Sequence, residues 1–296
     1  MKKLLKNKRL WLIVTAILVL ILISGCTKLT DSSGKVLAEK IITSTTSFDT
    51  MIGKEGWFEA FFVWPLAQVI NNLTPTIGVT LAIVCATIIV NIVTFGVSVK
   101  STVSPQKMQV LHPELNKIQE KYKGRNDDQS KMAMSKEMQD LYSSHGVNPF
   151  GSIFVTFLQF PIIIAMWQAV QRSQAVATGS LWGASLSVTP LEGFKQGNWL
   201  FVVIFLAMGA AQFGAMKLPQ YLAKKKLARE HKTPRKPGEK SSTAQTDQIT
   251  LFMLVFIMFI SINWPTAMSL YWFVSSLAMI AKTLFIQWRY IDNEKI

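Results

Sequence analysis

His145 to Trp167 read HGVNPFGSIFVTFLQFPIIIAMW, and this stretch decides the fold class. The turn Asn148-Pro149-Phe150-Gly151 launches a long apolar run. One amide, Gln159, interrupts it, and Pro161 follows two residues later. Lipid penalises a polar side chain and a helix-kinking proline, so the pair is expected to face protein or water. A plain membrane anchor has no need of either.

The rest of the chain repeats the apolar theme. Half of it is apolar and only 16% is charged, unlike a soluble domain. No Asp, Glu, Lys or Arg occurs in 60–99, 141–171, 196–216 or 248–281. A membrane helix needs about 20 apolar residues, so each of the first three gaps holds one span. The fourth holds two, split at Asn263-Trp264-Pro265, a sequence that helices rarely cross. The expected fold is an all-α polytopic membrane protein. It has a five-helix core spanning 77–99, 149–171, 199–217, 248–263 and 266–288.

The net charge of +14 follows topology and is no nucleic-acid footprint; DNA is not an expected partner. Segments 100–148 and 217–247 carry eight and nine Lys/Arg, whereas 172–198 carries two. Basic loops stay in the cytoplasm. That places the mature N-terminus outside and the C-terminus inside, which five spans also require.

The N-terminus reads as a lipoprotein signal peptide over 1–25. Lys2 to Arg9 precede the apolar run Leu10 to Ile23, and Ile23-Ser24-Gly25-Cys26 follows. The pattern resembles bacterial signals in which the cysteine, here Cys26, receives lipid. Residues 26–55 are rich in Ser and Thr and read as an extracytoplasmic tether. The aromatic, amphipathic stretch 56–72 is expected to lie along the interface as a helix. Cys85 is the one other cysteine, so neither a disulfide framework nor a cysteine metal site is expected. No cofactor is implied.

Residues 104–145 read as a helical hairpin. Met108, Leu111, Leu115, Ile118 and Tyr122 fall at helical spacing, and Met132, Met134, Met138 and Leu141 continue after Gly124-Arg125-Asn126-Asp127-Asp128. Methionine makes an adaptable apolar seam, which either holds the hairpin together or meets varied partners. Residues 218–247 form a basic loop rich in Pro, Gly and Ser. It sets topology, or meets anionic lipids or ribosomal RNA. Residues 289–296 form a short tail.

Polar residues recur inside the spans. Thr87, Asn91, Thr94 and Ser98 lie on one face of the first span. Ser269, Trp272, Ser276 and Thr283 share a face of the last. Two roles are open to them. They bond helices together, each such bond worth about 0.6–2 kcal/mol. Alternatively, they line a wet groove that spares polar segments the cost of the bilayer centre, about 2.5–3.5 kcal/mol per charged residue.

Three stretches, in order over 54–290, resemble the YidC family of membrane-protein insertases. They are Asn148 to Pro161, Lys107-Met108-Gln109-Val110-Leu111-His112-Pro113-Glu114-Leu115 leading to Lys121-Tyr122, and Pro265-Thr266-Ala267-Met268-Ser269-Leu270-Tyr271-Trp272. The resemblance implies a non-enzymatic insertase in the bacterial cytoplasmic membrane. Its partners would be nascent membrane proteins, with the Sec translocon, the ribosome and anionic lipids beside them. It implies a groove formed by Thr87, Asn91, Gln159, Trp272 and Ser276, and a mobile cytoplasmic hairpin. One departure is clear. The family usually carries an arginine in the first span where this chain has Asn91. Lys282, late in the last span, either returns a positive charge or snorkels to the interface.

Two other classes compete. A diverged paralogue would assist assembly without inserting anything. A transporter or channel subunit would need coupling-ion ligands, and the expected spans contain no acidic residue. An intramembrane enzyme is disfavoured because His112, His145 and His231 all fall in loops.

Overall fold

Val79 begins a helix that does not stop for 43 residues. Gly78 separates it from the preceding helix with φ of +81°, a conformation that glycine adopts at no steric cost. In the computed structural model, residue 29 and residues 36–125, 127–147, 151–229 and 242–292 are described. Cys26 with its signal, and the turn 148–150, lie outside the described residues.

The helices are α1 (Phe48–Lys54), α2 (Trp64–Ile77), α3 (Val79–Lys121), α4 (Asp128–Ser144), α5 (Gly151–Arg172), α6 (Gln174–Thr178), α7 (Pro190–Lys195), α8 (Trp199–Arg229), α9 (Ser242–Ser261) and α10 (Thr266–Ile286). A π-helical stretch, Glu59–Val63, leads into α2, and another, Gln287–Ile291, follows α10. The strands β1 (Ser180–Leu181) and β2 (Ala184–Ser185) form a short antiparallel hairpin. The chain is thus a polytopic helical membrane protein built on α3, α5, α8, α9 and α10. Of these, α3, α8 and α10 are long and apolar enough to cross a bilayer over their described residues.

α3 packs against α2, α5, α8 and α10, and α8 packs against α10 and α9. α5 meets α10 only sparsely. One end of the bundle is covered by residues 36–56 and 173–198, and we refer to it as the capped end. The other carries the basic residues that close α8 and the arm formed by α4 and the far part of α3.

The capped end holds the main core. Ile70, Ile83, Met166, Leu186, Met268 and Tyr271 are all nearly inaccessible there. Polar contacts fasten the cap to it. Ile42 pairs with Ser173, donating to the Arg172 carbonyl at 2.6 Å and accepting from the Gln174 amide at 3.0 Å. Asn71 donates to the Ile42 carbonyl at 2.7 Å and accepts from the Ser173 hydroxyl and the Ala175 amide. Arg172 donates to the Lys40 carbonyl at 2.8 Å and pairs with Glu55 at 3.3 Å, while Lys40 pairs with Glu55 at 2.8 Å. Burial disfavours the Arg172 charge, and Glu55 and Glu59 oppose that effect.

Several expected boundaries change. Residues 36–55 are not a tether: they fold, with Ser47 capping α1, because tertiary polar contacts replace the missing apolar period. The aromatic stretch runs on to Ile77, and it buries Ala60, Val63, Ala67 and Ile70 while exposing Trp57, Phe61 and Phe62. The first span and the first hairpin helix are one rod of about 65 Å at 1.5 Å per residue. Pro105 and Pro113 each remove only one backbone bond, and no glycine accompanies either. α8 likewise continues past Met216 through Pro219 to Arg229, so the basic loop begins later than residue 218. After α10, the π-helical turn occupies positions expected to be the end of the span and the tail.

The hairpin turns at Gly124, φ +84°. Asp127 caps α4 by accepting from the Ser130 amide at 2.7 Å. Lys121 and Glu137 pair across the hairpin at 2.9 Å.

Candidate groove

Between the two ends, α3 is only partly packed, with Phe95 against Phe285 of α10 at 6.0 Å between ring centroids. Thr87 is fully buried and Val99 nearly so, yet none of residues 88–96 is buried. Ile92 and Val93 are 67% and 74% exposed. Asn91 stands in this stretch, about 18 Å along α3 from Val79 by helical rise. That is close to the middle of a hydrocarbon layer about 30 Å thick. α3 packs against both α5 and α10, which meet each other only sparsely.

Toward the capped end, α5 and α10 are bridged by aromatic rings. Trp272 of α10 stacks on Trp264, with ring centroids 5.4 Å apart, and Trp264 lies 5.7 Å from Trp167 of α5. These three rings join α5 to α10. Just below them, Gln159 of α5 interacts with the buried Tyr271 hydroxyl of α10. Toward the other end, Val99, Val110, Ala223, Ile286 and Ile291 form a separate small core.

The polar residues divide by role. Asn91 is half-buried, and its amide nitrogen donates to the Thr87 carbonyl at 2.9 Å. That leaves its oxygen as an acceptor in this region. Gln159 is exposed apart from its Tyr271 contact. Thr94 is half-buried and donates to the Val90 carbonyl.

Two expected groove residues are buried in the bundle. Thr87 is inaccessible and donates to the Ile83 carbonyl at 2.8 Å, satisfying its own helix. Ser276 is 3% exposed and donates to Gln212 of α8 at 2.6 Å. Ser276 joins two helices, because α10 presses this face onto α8, whereas Thr87 bonds only within α3. Trp272 is half-buried and belongs to the aromatic stack. The side chain of Ser98 lies outside the described residues.

The expected hairpin seam is uneven. Leu111 and Leu115 are buried at 1% and 4%, whereas Met108, Met134 and Met138 are half-buried and Met132 is 74% exposed. α4 buries no residue at all. The arm therefore presents a partly open methionine face. Lys282 is half-buried late in α10.

Sequence reasoning missed Tyr271, Gln212, Asn71 and Arg172 as organising residues. Tyr271 was visible within the Leu270-Tyr271-Trp272 motif. The others act through partners distant in the chain. Among the described residues, no three His, Cys, Asp or Glu side chains converge as metal ligands would.

The comparisons with known proteins agree with this architecture. The family model described as 60Kd inner membrane protein matches residues 69–294. The membrane protein insertase MisCA of Bacillus subtilis (strain 168) is 26% identical over 283 residues, covering 95% of this chain and 92% of that protein. The membrane protein insertase YidC 2 of Bacillus anthracis is 27% identical, covering 78% of this chain and 82% of its own length. The membrane protein insertase YidC of Oceanobacillus iheyensis is 26% identical, with 95% and 96% covered. With a helical membrane core of this order and a family match across most of its length, the chain belongs to the 60Kd inner membrane protein family, the family of the YidC membrane-protein insertases.

Proposed function

We propose that this protein inserts client membrane proteins by giving their polar segments a sheltered path through the partly packed middle of α3. The observation that carries this reading is the stretch 88–96. It buries nothing, offers the Asn91 amide, and lies between helices that barely meet. A wet cleft at that depth removes much of the penalty on a polar residue crossing lipid. No bond is made or broken in the client, so the protein is not an enzyme in the chemical sense.

The capped end is read as facing outward and the basic end as facing the cytoplasm, because Lys and Arg concentrate beyond α3 and α8. The Trp167-Trp264-Trp272 stack would then close the cleft outside. Asn91 and Gln159 would meet clients directly, whereas Thr87 and Ser276 hold the walls. The methionine face of α4, with Met134 and Met138, would receive client segments before insertion, while Leu111 and Leu115 seat the arm. Cys26 would carry lipid. The Sec translocon, the ribosome and anionic lipids are proposed partners.

The test is depletion of the resident insertase in a bacterial cell and expression of this chain. Rescue of client insertion is expected, with photo-cross-links from clients to positions 91 and 93 and few to position 206, on the far helix α8. Failure of rescue by a stably expressed chain would favour the assembly-factor reading. Insertion without those cross-links would dismiss the groove.

A further inference from the structure

A second recess lies where α8 ends. Leu222, Lys225, Lys226, Arg229, Gln287 and Asp292 enclose a cavity of about 130 Å³. It opens beside the π-helical turn after α10. Three cations face one carboxylate. Gln287 donates to Asp292 at 2.7 Å, which ties the carboxylate into the turn. Lys226 is 6% exposed and donates to the Ile291 carbonyl. It binds the turn to α8 and brings its charge to the cavity wall. Lys225 and Arg229 are exposed and make no ion pair among the described residues.

The depth of this recess is informative. Lys225 is 26 residues beyond Trp199 on α8, or about 39 Å at 1.5 Å per residue. A bilayer with its headgroups is about 40–45 Å thick. Trp199 is 70% exposed and meets Phe194 edge to face, as aromatic rings do at an interface. With Trp199 at one headgroup layer, the cavity sits at the other. Trp288, 65% exposed beside the cavity turn, marks that second interface.

We propose that this cavity binds the phosphodiester of an anionic lipid. Arg229 suits the phosphate geometrically, since its planar fork can donate two parallel bonds. Lys225 supplies a second charge, and Lys226 deepens the positive field from below. Basic pockets beside membrane helices on the cytoplasmic side suit such headgroups. A lipid held here would brace the end of α8 against the turn after α10. The inference rests on the membrane-spanning reading and needs no insertase activity.

The test uses the full chain in nanodiscs of phosphatidylcholine mixed with phosphatidylglycerol. Retained lipid is read by native mass spectrometry after detergent extraction, with no client present. The wild type should retain phosphatidylglycerol selectively. K225Q/R229Q should lose most of that retention, at about fivefold for each cation removed near a lipid surface. K224Q, outside the cavity lining, should retain it. Circular dichroism must show equal helix content in all three. Equal retention by the double variant overturns the proposal. So does equal thermal protection by inorganic phosphate, which would make this a free-anion site. Loss of RNA oligonucleotide binding with lipid retention intact would assign the charges to RNA instead.

Discussion

At the capped end, Arg172 is 1% exposed and fastens Glu55 and the Lys40 carbonyl, while in the middle stretch of α3 nothing from 88 to 96 is buried. Both regions contain polar groups at membrane depth or at its edge. In the cap, partners from distant parts of the chain satisfy them. In the middle of α3, half-buried Asn91 bonds only to its own helix. The difference teaches where rigidity is needed. A sealed, bonded end resists leakage, and an under-packed middle can accept a changing guest.

The largest expected effect comes from breaking the cap. Arg172→Ala leaves Glu55 buried beside Lys40 alone. Removing one member of a buried pair typically costs about 3–5 kcal/mol. Thermal unfolding in detergent should reveal a loss of that size. R172M combined with E55L should recover much of it, since apolar replacement of both partners is often neutral. An unchanged midpoint in Arg172→Ala would mean that the cap does not support the bundle.

Asn71→Ala comes next. It deletes one donor and two acceptor contacts that join α2, Ile42 and the start of α6. At about 1 kcal/mol per bond, the loss is roughly 2–3 kcal/mol. Hydrogen exchange should rise at residues 42–46 and 173–176 together. Faster exchange in only one of them would show that Asn71 does not couple the two segments.

Much of this comparison was legible in the sequence, though unequally. The membrane helices α3, α8 and α10 announce themselves through charge-free runs, and α10 starts after Pro265, where the Asn263-Trp264-Pro265 break predicts. The polar face of α3 is also legible, since helical period puts Thr87, Asn91 and Thr94 together. Depth is not. Period gives a direction around the helix, not whether a neighbour fills it, and so Thr87 is sealed while Asn91 stays open. The cap was illegible for another reason. Residues 36–55 have little apolar period, and their order comes from Arg172 and Asn71, far away in sequence. Ser276 reads as a groove residue until Gln212, sixty-four positions earlier, is placed against it. The join at 100–104 misled because charge resumes there, and charge marks the membrane boundary, not the end of a helix.

The cleft should respond to substitution in activity and not in stability. Asn91→Ala removes a side chain that bonds only within its helix, so unfolding should shift by no more than about 0.5 kcal/mol. Insertion of clients with polar translocated segments should fall measurably. Because Asn91 is neutral, neutralising acidic residues in a client's N-terminal tail should change little. Asn91→Arg should introduce that dependence. A wild type that already discriminates sharply would point to another positive charge, and Lys282 is the nearest candidate in α10.

The smallest effect concerns the arm, which belongs to neither region. His112 lies on α3 beyond the membrane, next to the buried Leu111. Burial holds its imidazole below the ordinary value of about 6.5. The sign follows from linkage. Below about 6.5 the undocked arm takes up a proton that the docked arm resists, so docking weakens as pH falls through that range toward the depressed value. Above it, both states are neutral and nothing changes. Protection factors over 104–121, with exchange corrected for its intrinsic pH dependence, should therefore be flat from neutral to alkaline pH and should fall on acidification. His112→Phe should flatten the acid limb while leaving residues 79–96 of α3 and the cap unaffected. If the acid limb persists in that variant, another group drives it, and the arm's docking does not depend on burying His112 neutral.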